Sequence, residues 1–518
     1  MIRRSMRHVV APLLKWFLPM WALWCLATPE IHSQPADPET ALFSALNQIS
    51  GERMLTDVTD LSRNFNGRQA GTEDDLKSAQ WMLERFRQAD VKAPVIRGFP
   101  PIPILAQGKD GSALGVMASI LPSSSIEPNA SLSISAGGDA ASRQLGTDYL
   151  PILDSPAANV RGPIVFVGYG IVDTAHQIDD YGGIDVKNSI VLFLRGKPDY
   201  LQQPVSHADK VRIAQQRGAI GYLTATGPLL SPYEARRGVT GTPSAFYGLT
   251  AEGSSLPGAW INTPVAEELL AQTASSQLST LRARQEQLNK SPTTQALRID
   301  RFCALTWDSK PTDGLLINVL GLIPGADPLV GHETVIIGAH RDHFGKQAGL
   351  LFPGADDNAS GTAVMLETAR VSARMPRPKR SLLFVSFSGE ERGLLGSRLY
   401  VGRPVVPLKQ TKAMINIDHA GIGNGRLTVG VTGLEKQLAQ EAGQVAGLAD
   451  KLDLFGFFPG GDHVPFKEAG IPTVTVVSGG VHPHFHQPSD SADTINPDVL
   501  QSAARYVVAL AWQLANMP

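Results

Sequence analysis

"ETVIIGAH" (333–340), "ASGTAVMLETARVSARM" (359–375) and "SLLFVSFSG" (381–389) follow one another along the chain. The first and third are short apolar runs of the kind that forms fully buried strands. The second spaces its apolar residues as a helix does. Strand, helix, strand in that order predicts parallel neighbours with helices packed on the sheet. "KAMINIDHAG" (412–421) and "IPTVTVVSGG" (471–480) continue the alternation. The expected fold class is α/β, with a mostly parallel central sheet flanked by helices.

The strand ends carry the chemistry. The first closes on His340, with Asp342 two residues on, and the second runs into Glu390 and Glu391. The third ends at Asp418, and the last leads through Gly479 and Gly480 to "HPHFHQPSD", which holds His482, His484, His486 and Asp490. In open α/β sheets the carboxyl ends of the strands form the ligand crevice, so these groups are expected on one rim. "GADDNASG" (354–361) lies on the same rim, at the start of a helix whose dipole favours negative charge. One of its aspartates could cap that helix, whereas two side by side call for a cation. Histidine and carboxylate without thiolate suit zinc or a similar divalent ion in an open, catalytic arrangement.

Composition narrows the rest. At 43% hydrophobic and 18% charged, the 518 residues describe a globular chain of two or three domains. A net charge of −2 and the absence of a basic stripe argue against nucleic acid as a partner. "MIRRSMRH" followed by the apolar run Trp16–Ala27 reads as a secretory signal, because a spanning helix needs roughly 20 apolar residues. An uncleaved anchor is the alternative. Cleavage after Ser33 removes four bases and one acid, taking the charge from −2 to −5. It also removes Cys25, so Cys303 is left with no internal disulfide partner and a cysteine-rich metal site is excluded.

Upstream of the alternating region, residues 42–65 and 72–91 read as amphipathic helices flanking the turn "GRQAG" (67–71). "GFPPIPI" (98–104) is a proline-rich break. From about 136 to 300 the chain reads as a separate α+β module, with strands near 162–171 and 189–196 and a helix leading into a strand over 208–227. A Ser/Thr-rich tract around 273–295 closes it. The expected division is therefore a signal at 1–33, a peptidase part at 34–135, an insertion at 136–300, and the metal-bearing part at 301–518.

The set "GAHRDHFG…GADDNASG…SGEERGLLGS…NIDHAG…FHQPSD" resembles the di-zinc exopeptidases that include bacterial leucine aminopeptidases and glutamate carboxypeptidases. "GGDHVPFKEAGIP" (460–472) and the helices around "GRQAGTEDDLKSAQWMLERF" match the same family, and 136–300 resembles the protease-associated domain many members carry. The resemblance implies two Zn²⁺. His340 is then a ligand of one zinc and Asp342 the acid that orients it. Asp357 is the carboxylate bridging both metals, Glu390 the general base and Glu391 the ligand beside it. Asp418 and His486 supply one further ligand to each metal, while Asp356 caps the helix or supports the ligands from behind.

Two departures stand out. Phe485 occupies the place where some relatives have a tyrosine, and His419 replaces a more usual apolar residue. Only motif alignment selects His486 among the three nearby histidines. Arg341 and Arg392 flank the ligands either as charge balance or as a clamp for a substrate carboxylate. The implied activity is a secreted or periplasmic zinc aminopeptidase, which hydrolyses N-terminal amino acids from peptides through a hydroxide shared by the metals. Its expected partner is a peptide with a free N-terminus, with no stable membrane partner. A carboxypeptidase of the same fold would need an arginine-lined pocket. A glutaminyl cyclase-like acyltransferase uses one zinc, which the intact bridging and base positions oppose, and a non-catalytic binding ectodomain would have lost the ligands.

Overall fold

The computed structural model describes residues 38–96, 113–136, 139–231, 234–235, 238–248, 256–271, 280–292 and 296–518. The expected signal segment and the expected proline-rich break at 98–104 lie outside them. Two eight-stranded sheets dominate. In the first, the strands Ser381–Phe387, Thr334–His340, Thr411–Ile417 and Thr473–Ser478 lie side by side and parallel. The long strand Ser309–Ile323 runs antiparallel along one flank and pairs outward with Val116–Ile126. Leu427–Thr432 and Leu452–Phe455 complete the other flank. The parallel centre is the one the alternating apolar runs predict, whereas these flanking strands carry weaker local signals.

Both faces of the parallel strands are buried, which is why their sequences are apolar throughout rather than alternating. Val335, Ile337 and Ala339 point into one core with residues of the helices Gly51–Asn64, Gly361–Ser372 and Pro497–Asn516. Ile336 points into the other, where it joins Leu383, Val385, Tyr400 and Phe466. Parallel register sets His340 beside Phe387 and Ile417 beside Val476, so the chain leaves all four strands on one rim.

The second sheet takes its strands from 131 to 307, with Leu297–Trp307 and Ala158–Phe166 at its centre. Parallel strands Ile190–Leu194, Gly221–Ala225 and Gly258–Ile261 extend it to one side. The chain passes between the sheets after Ile126 and again at Asp308. Cys303 is buried in this second core, and burial pushes its thiol up to about 12, which leaves it inert.

Local differences from the sequence reading have local causes. Residues 42–65 form two helices rather than one, Pro38–Gln48 and Gly51–Asn64. They break at Ser50, whose hydroxyl caps the second by accepting from the Arg53 N–H at 3.2 Å. A Cβ on Gly51 would meet the Pro497 carbonyl oxygen at 2.4 Å, so the helix starts where only glycine fits. The Ser/Thr-rich tract contains a helix, Leu281–Lys290, capped by Thr280. Among the described residues, no helix is long and apolar enough to cross a membrane.

Candidate metal centre

Asp357 is the focus of the rim. Its Oδ1 lies 3.4 Å from His340 Nε2, and its Oδ2 lies 3.0 Å from His486 Nε2. Around the first contact stand Asp418 Oδ1 at 3.5 Å and Glu390 Oε2 at 4.0 Å, both measured from His340 Nε2. Beside the second, Glu391 Oε2 is 3.6 Å from His486 Nε2. Every residue expected to carry the site is therefore within one constellation, although His340 and His486 are far apart in sequence.

Each ring is aimed by its second nitrogen. His340 Nδ1 faces the Asp342 backbone carbonyl at 3.2 Å. The Asp342 carboxylate stands off at 3.7 Å and instead accepts the Glu390 N–H at 3.2 Å. Asp342 thus orients the histidine through its main chain and the Glu390 turn through its side chain. His486 Nδ1 donates to the Ala245 carbonyl at 2.8 Å, and the Ala245 N–H donates to the His486 carbonyl at 3.0 Å. That choice of tautomer leaves the Nε2 lone pair facing Asp357. The geometry also separates the three histidines. His482 Nδ1 faces Asp356 at 2.6 Å, and His484 faces the Ser489 hydroxyl at 2.9 Å.

The loop bearing Asp357 is held from several sides. The Asp490 carboxylate accepts the N–H groups of Asp356 (2.8 Å) and Asp357 (3.0 Å). Asn358 donates to the Ile417 carbonyl at 2.9 Å, tying the loop to the strand that ends at Asp418. Thr362, in the first turn of the following helix, donates to the His340 carbonyl at 2.8 Å. Asp356 does not cap that helix. Its Oδ1 accepts from the Gly421 and Ile422 N–H groups at 2.8 and 3.1 Å, which fixes the next loop instead.

Beneath these loops lies Arg68, from the "GRQAG" turn, fully buried. Its guanidinium donates to the carbonyls of Arg341, Leu61 (2.9 Å), Pro353 (2.7 Å) and Gly354 (2.7 Å). One side chain thus laces the His340 loop to the Asp357 loop. The sequence offered only its glycines as a signal, and they do not reveal the arginine's partners. His343 is a second residue the sequence reading gave no role, with Nδ1 2.7 Å from Glu391 Oε1. Its spacing from His340 was the available clue. Arg341 is no clamp for a substrate: it is buried and spends its donors on Asp75 (2.8 Å), Ser78 and the Ser386 carbonyl.

Residues 318–511 match the model of peptidase family M28. Over 192 residues the chain is 36% identical to the aminopeptidase YwaD of Bacillus subtilis, a stretch that is 35% of this chain and 41% of that protein. A probable leucine aminopeptidase of Arthroderma otae is 30% identical over 209 residues, 38% of this chain and 57% of the relative. The chain thus spans about half the length of the curated relatives it matches. An aminopeptidase structure from an Aneurinibacillus species superposes with a TM-score of 0.63 over 92% of this chain and 97% of its own, at 22% identity. A peptidase M28 precursor from Shewanella amazonensis gives 0.61 over 93% and 96%, at 18% identity. At those identities the structures establish a shared fold that includes the second sheet.

The residues gathered on this rim suit divalent cations. Asp357, Asp418, Glu390 and Glu391 crowd into a buried space, and Asp418 Oδ1 has no hydrogen-bond partner. Burial, with Asp357 and Glu390 adding repulsion, pushes Glu391 well above the usual carboxylate range. Burial likewise raises Glu390 to about 8. Against burial, the imidazoles of His419, His486 and His343 hold Asp357 well below its ordinary value. Such a cluster is stable as anions only around positive charge. The donor atoms divide into His340, Asp357 and Asp418 on one side and His343, Asp357 and Glu391 on the other, with His486 reaching the second group.

Two consequences are measurable. Arg68→Met removes one donor from each of four carbonyls, of which only that of Gly354 has another among the loop contacts described, the Ala359 N–H at 3.2 Å, so the unfolding free energy should drop by about 3 kcal/mol in denaturant titration. Gln487 anchors the His486 loop by donating to the Pro243 carbonyl (2.9 Å) and the Ser244 hydroxyl (2.8 Å). Gln487→Ala should therefore weaken divalent-metal affinity about tenfold in a chelator competition, with little change in unfolding midpoint. Unaltered affinity would show that the loop needs no such support.

Proposed function

We propose that the chain is an exported zinc aminopeptidase of the M28 type that removes N-terminal residues from peptides. The convergence of two aimed imidazoles on opposite oxygens of Asp357 carries this reading. His340, Asp357 and Asp418 would hold one zinc, and Asp357, Glu391 and His486 a second. When bound, zinc polarises a carbonyl and makes water acidic enough to lose a proton near neutrality. The similarity to probable leucine aminopeptidases supports the same reaction class.

Glu390 is placed for proton transfer. Its Oε2 sits at the edge of the first group, 4.0 Å from His340 Nε2, while its neighbour Glu391 points to His486. Adjacent in sequence, the two carboxylates diverge into different tasks. The Glu390 N–H is fixed by Asp342, so the turn that presents the carboxylate is rigid. Glu390 takes the proton of the water that attacks the peptide carbonyl. It then returns that proton to the amine nitrogen as the C–N bond breaks. Asp418 and Glu390 present negative charge where a substrate's free ammonium would enter.

Glu390→Gln keeps the size and removes the proton acceptor. Zinc content and thermal midpoint should survive, while kcat on leucine amides falls by about 10²–10⁴. Retained turnover, or a wild-type enzyme that cleaves only N-blocked amides, would sink the reading. Export rests on the basic start and the apolar run Trp16–Ala27. Expression in a bacterium with fractionation should place the activity outside the cytoplasm, and activity confined to the cytosol would contradict it.

A further inference from the structure

Asp356, His419 and His482 form a further group of buried donor atoms beside the rim. It is not a separate cation site. His482 Nδ1 lies 2.6 Å from Asp356 Oδ2, the length of a strong hydrogen bond and closer than two ligands of one ion stand. His419 Nδ1 turns to the same oxygen from 3.5 Å and has no partner at hydrogen-bond length. The other end of its ring points into the metal centre. His419 Nε2 is 3.5 Å from Asp357 Oδ2 and 3.8 Å from Asp418 Oδ1. His340 Nε2, an expected ligand, stands 3.4 Å from Asp357 Oδ1 and 3.5 Å from Asp418 Oδ1. Donors on one tetrahedral zinc are about 3.3 Å apart, because each bond is about 2.0–2.1 Å long. His419 therefore meets the metal-binding carboxylates much as His340 does.

We propose that His419 is an additional nitrogen ligand of the metal centre through Nε2, with Asp356 as the carboxylate that aims it. The inference rests on the metal centre of the aminopeptidase reading and adds a donor to it. A carboxylate behind a ligating imidazole fixes its tautomer and makes it a better donor. An Nδ1 proton directed at Asp356 leaves the Nε2 lone pair facing Asp357, as the Ala245 carbonyl does for His486. The backbone holds the ring in place. His419 has a φ of +44°, a left-handed conformation uncommon outside glycine. Its carbonyl accepts the Ser478 N–H at 2.9 Å, and the Ala420 N–H donates to the Ser360 hydroxyl at 2.8 Å. Asp356 Oδ1 takes the next two N–H groups. The ring packs against those of His482 (centroids 5.0 Å apart) and Phe485 (5.5 Å), and the residue is only 7% exposed. The apolar residue more usual at this position offers no donor. An added imidazole shifts preference towards zinc and cobalt and away from manganese, which favours carboxylate and water.

The test loads the full chain with Co²⁺ and counts the strongly shifted, solvent-exchangeable N–H proton resonances, one for each ligating imidazole. His340, His486 and His419 should give three, because His343 is at hydrogen-bond length from Glu391 and adds none. His419→Leu should give two. That variant should also weaken zinc affinity at least about tenfold in chelator competition, and weaken manganese affinity less. Two resonances in the wild type, as a histidine that only balanced acid charge would leave, overturn the assignment. That count decides even if His419→Leu does not fold. Three resonances that persist in the folded variant, or an unaltered zinc affinity, overturn it equally. Failure to take up cobalt or zinc sinks the metal centre together with its extra ligand. Three resonances falling to two, without hydrolysis of leucine amides by the zinc-loaded chain, count against the peptidase reading and for the ligand.

Discussion

The site depends on one carboxylate being pulled in two directions. Asp357 offers Oδ1 to His340 and Oδ2 to His486, while each ring is aimed by a backbone carbonyl of its own. A flexible side chain would choose one partner. This one is denied the choice because its own N–H is held by Asp490 while the next residue is tied to the Ile417 carbonyl. The backbone fixes the geometry, and the crowding of acids around it is tolerable only around positive charge.

That rigidity is distributed. Parallel strands deliver their ends to one rim with fixed spacing, but strand ends alone do not aim side chains. The aiming comes from main-chain atoms: the Asp342 carbonyl for His340, the Ala245 carbonyl for His486, and the loop carbonyls gathered by Arg68. Burial removes water as a competitor for all of these, so each bond is costly to leave unmade. The centre is therefore framed by backbone that side-chain chemistry merely completes.

This division explains what the sequence disclosed. Apolar runs ending in His340, Glu390 and Asp418 announced the parallel sheet and its loaded rim, because burial on both faces leaves a continuous signal. His486 among three histidines could be chosen only by likeness to relatives, since the carbonyl that aims it lies 241 residues upstream. Arg68 looked like part of a glycine turn for the same reason: its partners are carbonyls, which every residue has. His343 was in view within "AHRDHFG" yet silent, as its contact with Glu391 is made only when two strand ends meet. Of the two roles expected of Asp356, capping the helix or supporting the ligands from behind, the cap is not made, because a neighbouring loop offers it two N–H groups.

The pairing of Ala245 with His486 also bears on how the molecule can change over evolutionary time. The contact is made through main-chain atoms, so the hydrogen bonds do not fix the residue at 245; packing does, since Ala245 is fully buried among Leu150, Tyr247 and Phe344. The path of the chain there is fixed as well, because a register slip of one residue would turn the imidazole away. Insertions and deletions in that loop are thus filtered severely, and the second sheet is bound to the candidate metal centre by shape rather than by any motif.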